Sequence, residues 1–344
     1  MSIKILTLDK DNTQAWDSFV SENNASLYHL SQWKNLIEEV FGHETHYLYA
    51  INNSNKILAI LPIVQLKSFL FGNYLVSIPF FNYGGIFSVD DEATDKLFQH
   101  AEELRRKLGC SHIEYRHQEN ISDNLPVRTD KVTMLLDLPE DPGTLWKAIG
   151  SKRRAQVKRP IREGVEFKTG EKELINDFYT VFSENMRDLG TPVYSKKLFQ
   201  AIFDKFPDKA SIAIVYLNDA PVGAAFLLSH NGQQEIPWAS TLRRYNRLGI
   251  NMYMYWNILE SAIKNGFKRF DFGRSGQDAG TLKFKKQWGA EEHQLYWHYS
   301  LEEGENIPVM NHSNKKFELA INLWKKLPLS FTNRLGPLVV KNLP

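Results

Sequence analysis

The segment "KNGFKRFDFGR" at residues 264–274 has a counterpart earlier in the chain, "KLGCSHIEYR" at 107–116. Both read Lys-x-Gly, three residues, an apolar–acid–aromatic triplet and then Arg, with one extra glycine, Gly273, in the second copy. Each triplet alternates as a half-buried strand does, and the glycine ahead of it stands where a helix stops in the left-handed conformation. The elements upstream match as well. "DEATDKLFQHAEELRRK" (91–107) predicts an amphipathic helix, and "INMYMYWNILESAIKN" (250–265) predicts a helix apolar nearly all round and therefore well buried. Runs of strands precede both helices. They are "HYLYAI", "KILAILPIVQL" and "YLVSIPFF" in the first half, and "ASIAIVYL", "PVGAAFLLSH" and "QQEIPWAST" in the second, with "NNSN", "NDA" and "NG" as turns. Each half is thus a strand meander, a helix and a strand, an internal duplication. The predicted fold class is α/β, with mixed, largely antiparallel sheets flanked by helices, in two tandem domains.

Between the halves, "KVTMLLDL" (131–138) reads as the last strand of the first half, "EDPG" as a turn or linker, and "TLWKAIGSKRRAQVKR" as a basic helix. The expected boundaries are a first domain over 1–145, a second over 146–305 and a basic amphipathic tail over 306–344.

Composition narrows the function classes. At 344 residues, with 42% hydrophobic and 12% aromatic content, the chain builds a substantial core and is no disordered protein. A net charge of +2 leaves any attraction to phosphates to local clusters. The single cysteine, Cys110, excludes an intramolecular disulfide, fits a reducing cytoplasm and is expected as a core thiol. The start "MSIKILTLDK" is too short an apolar run for a signal peptide. The run "ILAILPIV" (57–64) falls far short of the ~18 residues a membrane helix needs. No Cys/His cluster has metal-ligand spacing, and His43 and His46 are expected as surface or packing residues.

The pattern "FDFGRS…GT…FKKQWG" within 270–289 resembles the FemAB-like family of the GNAT superfamily, and within it the branch associated with PEP-CTERM/exosortase and exopolysaccharide loci. "SKRRAQVKRPIREGV" (151–165), "MRDLGTPVYSKKLF" (186–199) and "LWKKLPLSFTNRLGP" (323–337) are similar to the same branch. The resemblance implies two tandem GNAT-like domains and a cytoplasmic N-acyltransferase. Its product would be an amide on an amino group of a cell-wall (peptidoglycan) or exopolysaccharide-related acceptor. The implied donor is an aminoacyl-tRNA or an acyl thioester, with no tightly bound cofactor. The Phe-Lys of the family's motif lies in its active site and falls here on Phe284 and Lys285. Two other readings stay open: acylation of a small amine or amino acid from acyl-CoA or acyl carrier protein, and a non-catalytic scaffold in polysaccharide export.

Acyl transfer to an amine needs a neutral amine aimed at the carbonyl, donors or positive charge for the oxyanion, and a stabilised leaving group. Lys285, Asp271 and Arg274 are the candidate catalytic residues. A helix after Gly280 places Thr281, Phe284 and Trp288 on one inward face, with Lys285 beside it, Lys283 and Lys286 in solvent, and Asp278 as a cap. Asp271 and Glu114 occupy equivalent positions of the repeat. Each is either an ion-pair scaffold with Arg274 or Arg116 or an acid that positions the amine, and Arg274 also suits a carboxylate or phosphate. Phe284, Arg116, Glu114, Arg187, Tyr194, Tyr83 and Trp238 are expected at substrate, with core packing the competing role for the last two. Lys152 and Arg153, in a basic run without an acid, and Arg247, just ahead of a helix start, are candidates for phosphate. The loop "NRLGIN" (246–251) departs from the R/Q-x-x-G-x-G/A pattern that cradles CoA pyrophosphate in GNAT enzymes. The tail 311–344 mixes Lys315, Lys316, Lys325, Lys326, Arg334 and Lys341 with apolar side chains and one acid, Glu318. It suits either anionic lipid headgroups, which would place the protein peripherally at the inner face of the membrane, or packing against the body.

Overall fold

The computed structural model describes residues 2–69, 71–276, 280–308 and 315–343. Its strands, in chain order, are β1 (Lys4–Thr7), β2 (Glu44–Ile51), β3 (Ile57–Ser68), β4 (Gly72–Ser77), β5 (Phe87–Ser88), β6 (His112–His117), β7 (Val127–Arg128) and β8 (Lys131–Asp137). They continue as β9 (Val165–Gly170), β10 (Ala210–Leu217), β11 (Ala220–His230), β12 (Gln233–Thr241), β13 (Arg269–Gly276), β14 (Glu291–Gln294) and β15 (Tyr296–Leu301). Among the described residues they form two sheets, ordered β1-β2-β3-β4-β6-β15-β7 (with β5 on β3) and β14-β8-β13-β12-β11-β10-β9.

The chain divides into two compact units. One takes the chain up to Val132, the segment that begins at Gln294, and the last residues from Lys341; the other takes Thr133–His293 and the stretch ending at Val340. The predicted alternation of meander, helix and strand is present in each. In the first unit, Asn52 Oδ1 accepts from the N–H groups of Ser54 and Lys56 and closes the β2–β3 hairpin, as the "NNSN" turn requires. Helix Asp91–Lys107 starts where Asp90 accepts from the N–H of Ala93, and it carries acids in its first turn and bases in its last. Its Ala93, Leu97 and Ala101 pack with Leu61, Leu75, Ile113 and Cys110 in the core. Cys110 is therefore the core thiol expected of it. In the second unit, Phe178, Phe182, Phe199, Phe226 and Trp238 build an aromatic core between β11, β12 and the helices Ile175–Leu189 and Lys196–Lys205.

One strand does not go where its place in the sequence suggests. β8, expected to finish the first half, joins the second sheet between β14 and β13. The vacancy beside β6 is filled by β15, more than 150 residues later, paired antiparallel from Tyr296↔His117 to Leu301↔His112. An apolar strand shows its periodicity but not its neighbour, so this exchange is invisible to pattern reading.

Each sheet contains one short parallel ladder between the two strands that flank the main helix. In the first unit β4 and β6 pair at Leu75↔Ile113 and Val76↔Glu114. In the second, β12 and β13 pair at Gln233↔Arg269, Gln234↔Phe270 and Glu235↔Asp271. Both ladders end on the repeat's carboxylate, and both end just before an Ile-Pro pair, Ile78-Pro79 and Ile236-Pro237. Proline has no N–H to give to a ladder. Around Pro237 three steps of β12 oppose two of β11, from Glu235↔Leu228 to Trp238↔Phe226, a bulge that turns the strand. Gly273, at φ 73°, bends β13 opposite. The two strands then run on past the last shared rung, to Thr241 and Gly276, leaving a split in the sheet.

The exchange predicts that neither half folds alone. Residues 1–145 lack β15 and residues 146–305 lack β8. Expressed singly, both are expected to show no cooperative thermal transition by near-UV circular dichroism, whereas co-expression restores one. A cooperative melt from 1–145 by itself would refute this.

Candidate active site

The split of the second unit gathers the charged residues of the repeat. Asp271 is fully buried, and its Oδ1 accepts from Thr133 Oγ1 at 2.9 Å and from the N–H of Gly273 at 2.7 Å. Thr133 lies on β8, so the exchanged strand supplies the hydroxyl that fixes this carboxylate. Lys285 is 7% exposed, and its Nζ donates to the carbonyls of Gly273 at 2.8 Å and Arg274 at 2.9 Å. Where β13 bends away from a strand neighbour, the acid at its base and the lysine at its end serve the backbone groups in the neighbour's place.

Helix Gly280–Lys286 delivers Lys285, but not on the face expected. Leu282, Lys285 and Trp288 are buried, while Thr281 is exposed and Phe284 half-buried. The inward stripe is thus centred on Lys285. Thr281 was expected inward, but Lys285, of the segment's three lysines, finds acceptors in the carbonyls of Gly273 and Arg274 beneath the helix, which turns that face in. Phe284 instead fills space against Tyr255 (4.9 Å between ring centroids) and Trp288 (6.2 Å). Lys283 and Lys286 are exposed. Asp278, expected to cap this helix, lies outside the described residues.

Burial pushes the Lys285 ammonium down to about 8, Asp271 and Glu235 pull it back up, and Arg274 pushes it further down. Arg274 is half-buried at the mouth of the split. Glu235, buried on the rung beside Asp271, is the residue that sequence reasoning missed. Its signal was an acid inside the apolar alternation of "QQEIPWAST", immediately ahead of the proline. Partners on one rung place their side chains on the same face of the sheet, and Lys285 feels the charges of Asp271, Glu235 and Arg274, so two carboxylates and two cations form one cluster.

The remaining candidates of this unit fall in two groups. Tyr194 and Trp238 meet edge to face at 5.9 Å where β12 runs along the split. Trp238 also packs on Phe199 and Phe226, so it belongs to the core as well. Arg187 is held by its neighbour Asp188 through Nε and Nη2, at 2.9 and 2.7 Å. Lys152 and Arg153 lie on helix Gly150–Lys158, which packs along helix Ile250–Lys264. The Gln156 carbonyl faces Gly249 at the start of the latter helix, and Arg247 is exposed in the turn just before it. It is thus the later part of the basic run, at Gln156 and Pro160, that meets this helix start, while Trp146 ahead of Lys152 and Arg153 packs on Trp256 further along it. An apolar groove of about 430 Å³, lined by Trp146, Val157, Tyr253 and Trp256 among others, opens between these helices, and none of the split's residues line it.

The first unit has the same frame with different contents. Arg116 Nε donates to Glu114 Oε1 at 2.7 Å, Tyr299 donates its hydroxyl to Glu114 Oε2 at 2.7 Å, and Arg116 Nη1 donates to the Phe81 carbonyl at 2.7 Å. The guanidinium lies over Trp297, 4.6 Å from the ring centre. Tyr299 and Trp297 come from β15, so here too the exchanged strand holds the carboxylate. The chain after Pro79 folds back into the split, where the N–H groups of Gly84 and Gly85 both donate to the Arg116 carbonyl and Ser77 Oγ accepts from the Arg116 N–H. Tyr83, buried, packs edge-on to Tyr28 and lines a cavity of about 170 Å³. Among the described residues no His/Cys/Asp/Glu group is arranged for a metal ion.

The parallel ladder lies within the part of the chain that resembles a known family. Residues 151–286 match a family model described as an acetyltransferase (GNAT) domain. The second unit therefore contains a stretch similar to a GNAT acetyltransferase domain. No curated protein matches the chain significantly by sequence. Among solved structures, FemX superposes with a TM-score of 0.64 at 13% identity, over 86% of this chain and 96% of that one. The C-terminal domain of a putative lysylphosphatidylglycerol synthetase from Agrobacterium fabrum gives 0.58 at 12% identity, over 84% and 91%. A tandem GNAT protein from the clavulanic acid biosynthesis pathway gives 0.55 at 10% identity, over 89% and 100%. At these identities the likeness is one of fold, and that fold is two GNAT-like domains in tandem.

Two stability predictions follow from the buried charges. Burial alone would raise the Glu114 carboxyl, but the Arg116 charge and the Tyr299 and Arg116 hydrogen bonds outweigh it and hold it below its ordinary value. The pair's stabilisation is therefore present above the unfolded carboxylate's pKa and lost as pH falls through the lowered folded value. Glu114→Gln leaves Arg116 buried without its counter-charge and is expected to cost about 3–5 kcal/mol in urea unfolding at neutral pH. Lys285 has the opposite sign of pH dependence. Its folded pKa of about 8 lies under the ordinary 10.5, so between those values the unfolded chain binds the extra proton. Relative to Lys285→Met, the wild type should gain stability as pH rises through that window, by up to roughly 3 kcal/mol. A flat difference would mean that Lys285 is not held in a low-dielectric site.

Proposed function

We propose that the protein is an N-acyltransferase whose chemistry takes place in the split of the second unit, between β12 and β13. The observation that carries this reading is the asymmetry of the two splits. The first is filled by its own backbone and a satisfied Glu114–Arg116 pair. In the second, Pro237 and Gly273 end the ladder, and a buried lysine with a pKa near 8 takes the place of a strand at the carbonyls of Gly273 and Arg274.

In this reading the acyl carbonyl enters beside β12, where every second residue past Glu235 turns its N–H toward the split and serves as an oxyanion donor. The acceptor amine approaches from the β13 side and attacks the carbonyl carbon. Its proton passes to Glu235 or to Lys285, each of which lies within the same charge cluster, and the leaving group departs with its electron pair toward Arg274. Donors of both kinds implied by the family resemblance, aminoacyl-tRNA and acyl thioesters, carry phosphates. Arg247 at the start of helix Ile250–Lys264, and Lys152 and Arg153 on the helix packed along it, supply positive charge for one. Tyr194 and Trp238 offer an aromatic wall for the acceptor. A cell-wall or exopolysaccharide-related amine as acceptor, in the branch associated with PEP-CTERM/exosortase loci, rests on the sequence motif at 270–289. FemX and the putative lysylphosphatidylglycerol synthetase among the fold neighbours are consistent with transfer of an aminoacyl group.

The test is amide formation, read by mass spectrometry, with acetyl-CoA, a long-chain acyl-CoA and aminoacyl-tRNA as donors and a nucleotide-sugar wall precursor or glucosamine as acceptor. Lys285→Ala and Glu235→Gln are each expected to lower kcat about 10²–10³-fold. Turnover unchanged in both variants would remove the assignment of the site. A donor bound at ~100 times its dissociation constant should also add about 2.7 kcal/mol of stability, so a thermal-shift screen identifies it independently.

A further inference from the structure

The last two helices are built inside out. In helix Leu329–Val340, Phe331, Arg334, Leu335 and Leu338 recur at i, i+3, i+4 and i+7, and all four are exposed. The buried positions are Thr332, Gly336 and Val340. A surface helix ordinarily turns its bulky apolar stripe inward. Here the small residues face in because the backbone is close: a Cβ on Gly336 would stand 2.8 Å from the Val193 nitrogen and 3.0 Å from its carbonyl oxygen. Helix Lys315–Trp324 repeats the arrangement. Ile321 packs on Gly190, whereas Leu319 and Leu323, one turn apart, are 62% and 57% exposed. Among the described residues, five of the eleven exposed large apolar side chains lie between 319 and 338, and Leu189, beside Gly190, is a sixth.

Charge runs with this stripe. Lys325 and Lys326 are exposed where the first helix ends, Arg334 stands within the stripe itself, and Glu318 is the single acid from 318 to 343. We propose that these two helices are a docking face for an anionic lipid surface. They would lie in the headgroup plane with Leu319, Leu323, Phe331 and Leu335 inserted and the three cations against phosphates. Helices of ten and twelve residues cannot span a bilayer, and among the described residues no helix is long and apolar enough to do so. A second copy of the chain is the weaker occupant. A two-fold contact through this face would set Arg334 and the two lysines against their own copies with Glu318 as the one acid from 318 to 343 to meet them.

The inference stands apart from the reaction assigned above, because vesicle binding is read without turnover. The full chain is sedimented with sucrose-loaded vesicles of phosphatidylcholine containing 30% phosphatidylglycerol, and with pure phosphatidylcholine. The expected result is binding to the anionic vesicles, weakened by salt and weak on the neutral ones. Lys325→Gln with Lys326→Gln should lower the partition about thirtyfold, at about fivefold per lysine. Phe331→Ser with Leu335→Ser should abolish it while leaving circular dichroism and Tm unchanged, since both side chains are already exposed. The proposal is overturned if the wild type does not bind anionic vesicles, if it binds neutral ones equally, or if the Phe331/Leu335 variant still binds. A dimer in sedimentation velocity that this variant dissolves, without vesicle binding, would assign the face to self-association instead.

Discussion

A β-sheet that splits leaves backbone groups on both lips without partners, and water or side chains must serve them. That constraint organises both units. Each parallel ladder stops at a carboxylate, Glu114 or Asp271, and each carboxylate is pinned by a hydroxyl from a strand that belongs, by sequence, to the other half: Tyr299 on β15 and Thr133 on β8. The proline that ends the ladder, the acid at its last rung and the borrowed strand form one device, repeated twice.

The two copies then diverge. In the first, the chain beyond Pro79 returns to the opening and donates two glycine N–H groups to it, and a full ion pair fills what remains. Such a pair contributes little net stability over an apolar replacement, but it leaves no charge over for a ligand. In the second, the carbonyls of Gly273 and Arg274 are served differently. A lysine from a short helix reaches the carbonyls instead, at the cost of burying an ammonium group. A side chain can be moved or deprotonated far more readily than a strand, so the second split is the one that can exchange its contents for a substrate. On the proposed function, duplication followed by such specialisation gives one half for support and one for chemistry.

Much of this was legible in the sequence. The decapeptide repeat, the helices that precede it and the hairpin turns gave the two-part α/β plan, because local periodicity and turn chemistry are local quantities. The pairing of Glu114 with Arg116 was also foreseeable as one of two readings, since the residues lie two apart on one strand. Three things were not. The exchange of β8 and β15 depends on partners more than 130 residues apart. The inward face of helix Gly280–Lys286 was assigned by hydrophobicity to Thr281, Phe284 and Trp288. The carbonyls of Gly273 and Arg274 outweighed that preference and drew Lys285 in. Glu235 escaped notice because its partner rung lies on a different strand, although Pro237 marked the place. The C-terminal helices inverted the usual pattern for a similar reason. Close backbone contact at Gly336 decides which face turns in, and a hydrophobicity profile carries no information about backbone distance.

The exchanged strands also have a consequence in time. When β7 has left the ribosome, the first sheet still lacks β15, which is synthesised about 170 residues later. At 5–20 residues per second that is a wait of about 10–30 s. During it β6, with a buried acid and a buried arginine, presents an unpaired edge. β8 meanwhile is finished long before β13 exists to receive it. The nascent chain must therefore carry two incomplete sheets until β15 emerges, and that late strand is the one that closes the sheet begun first.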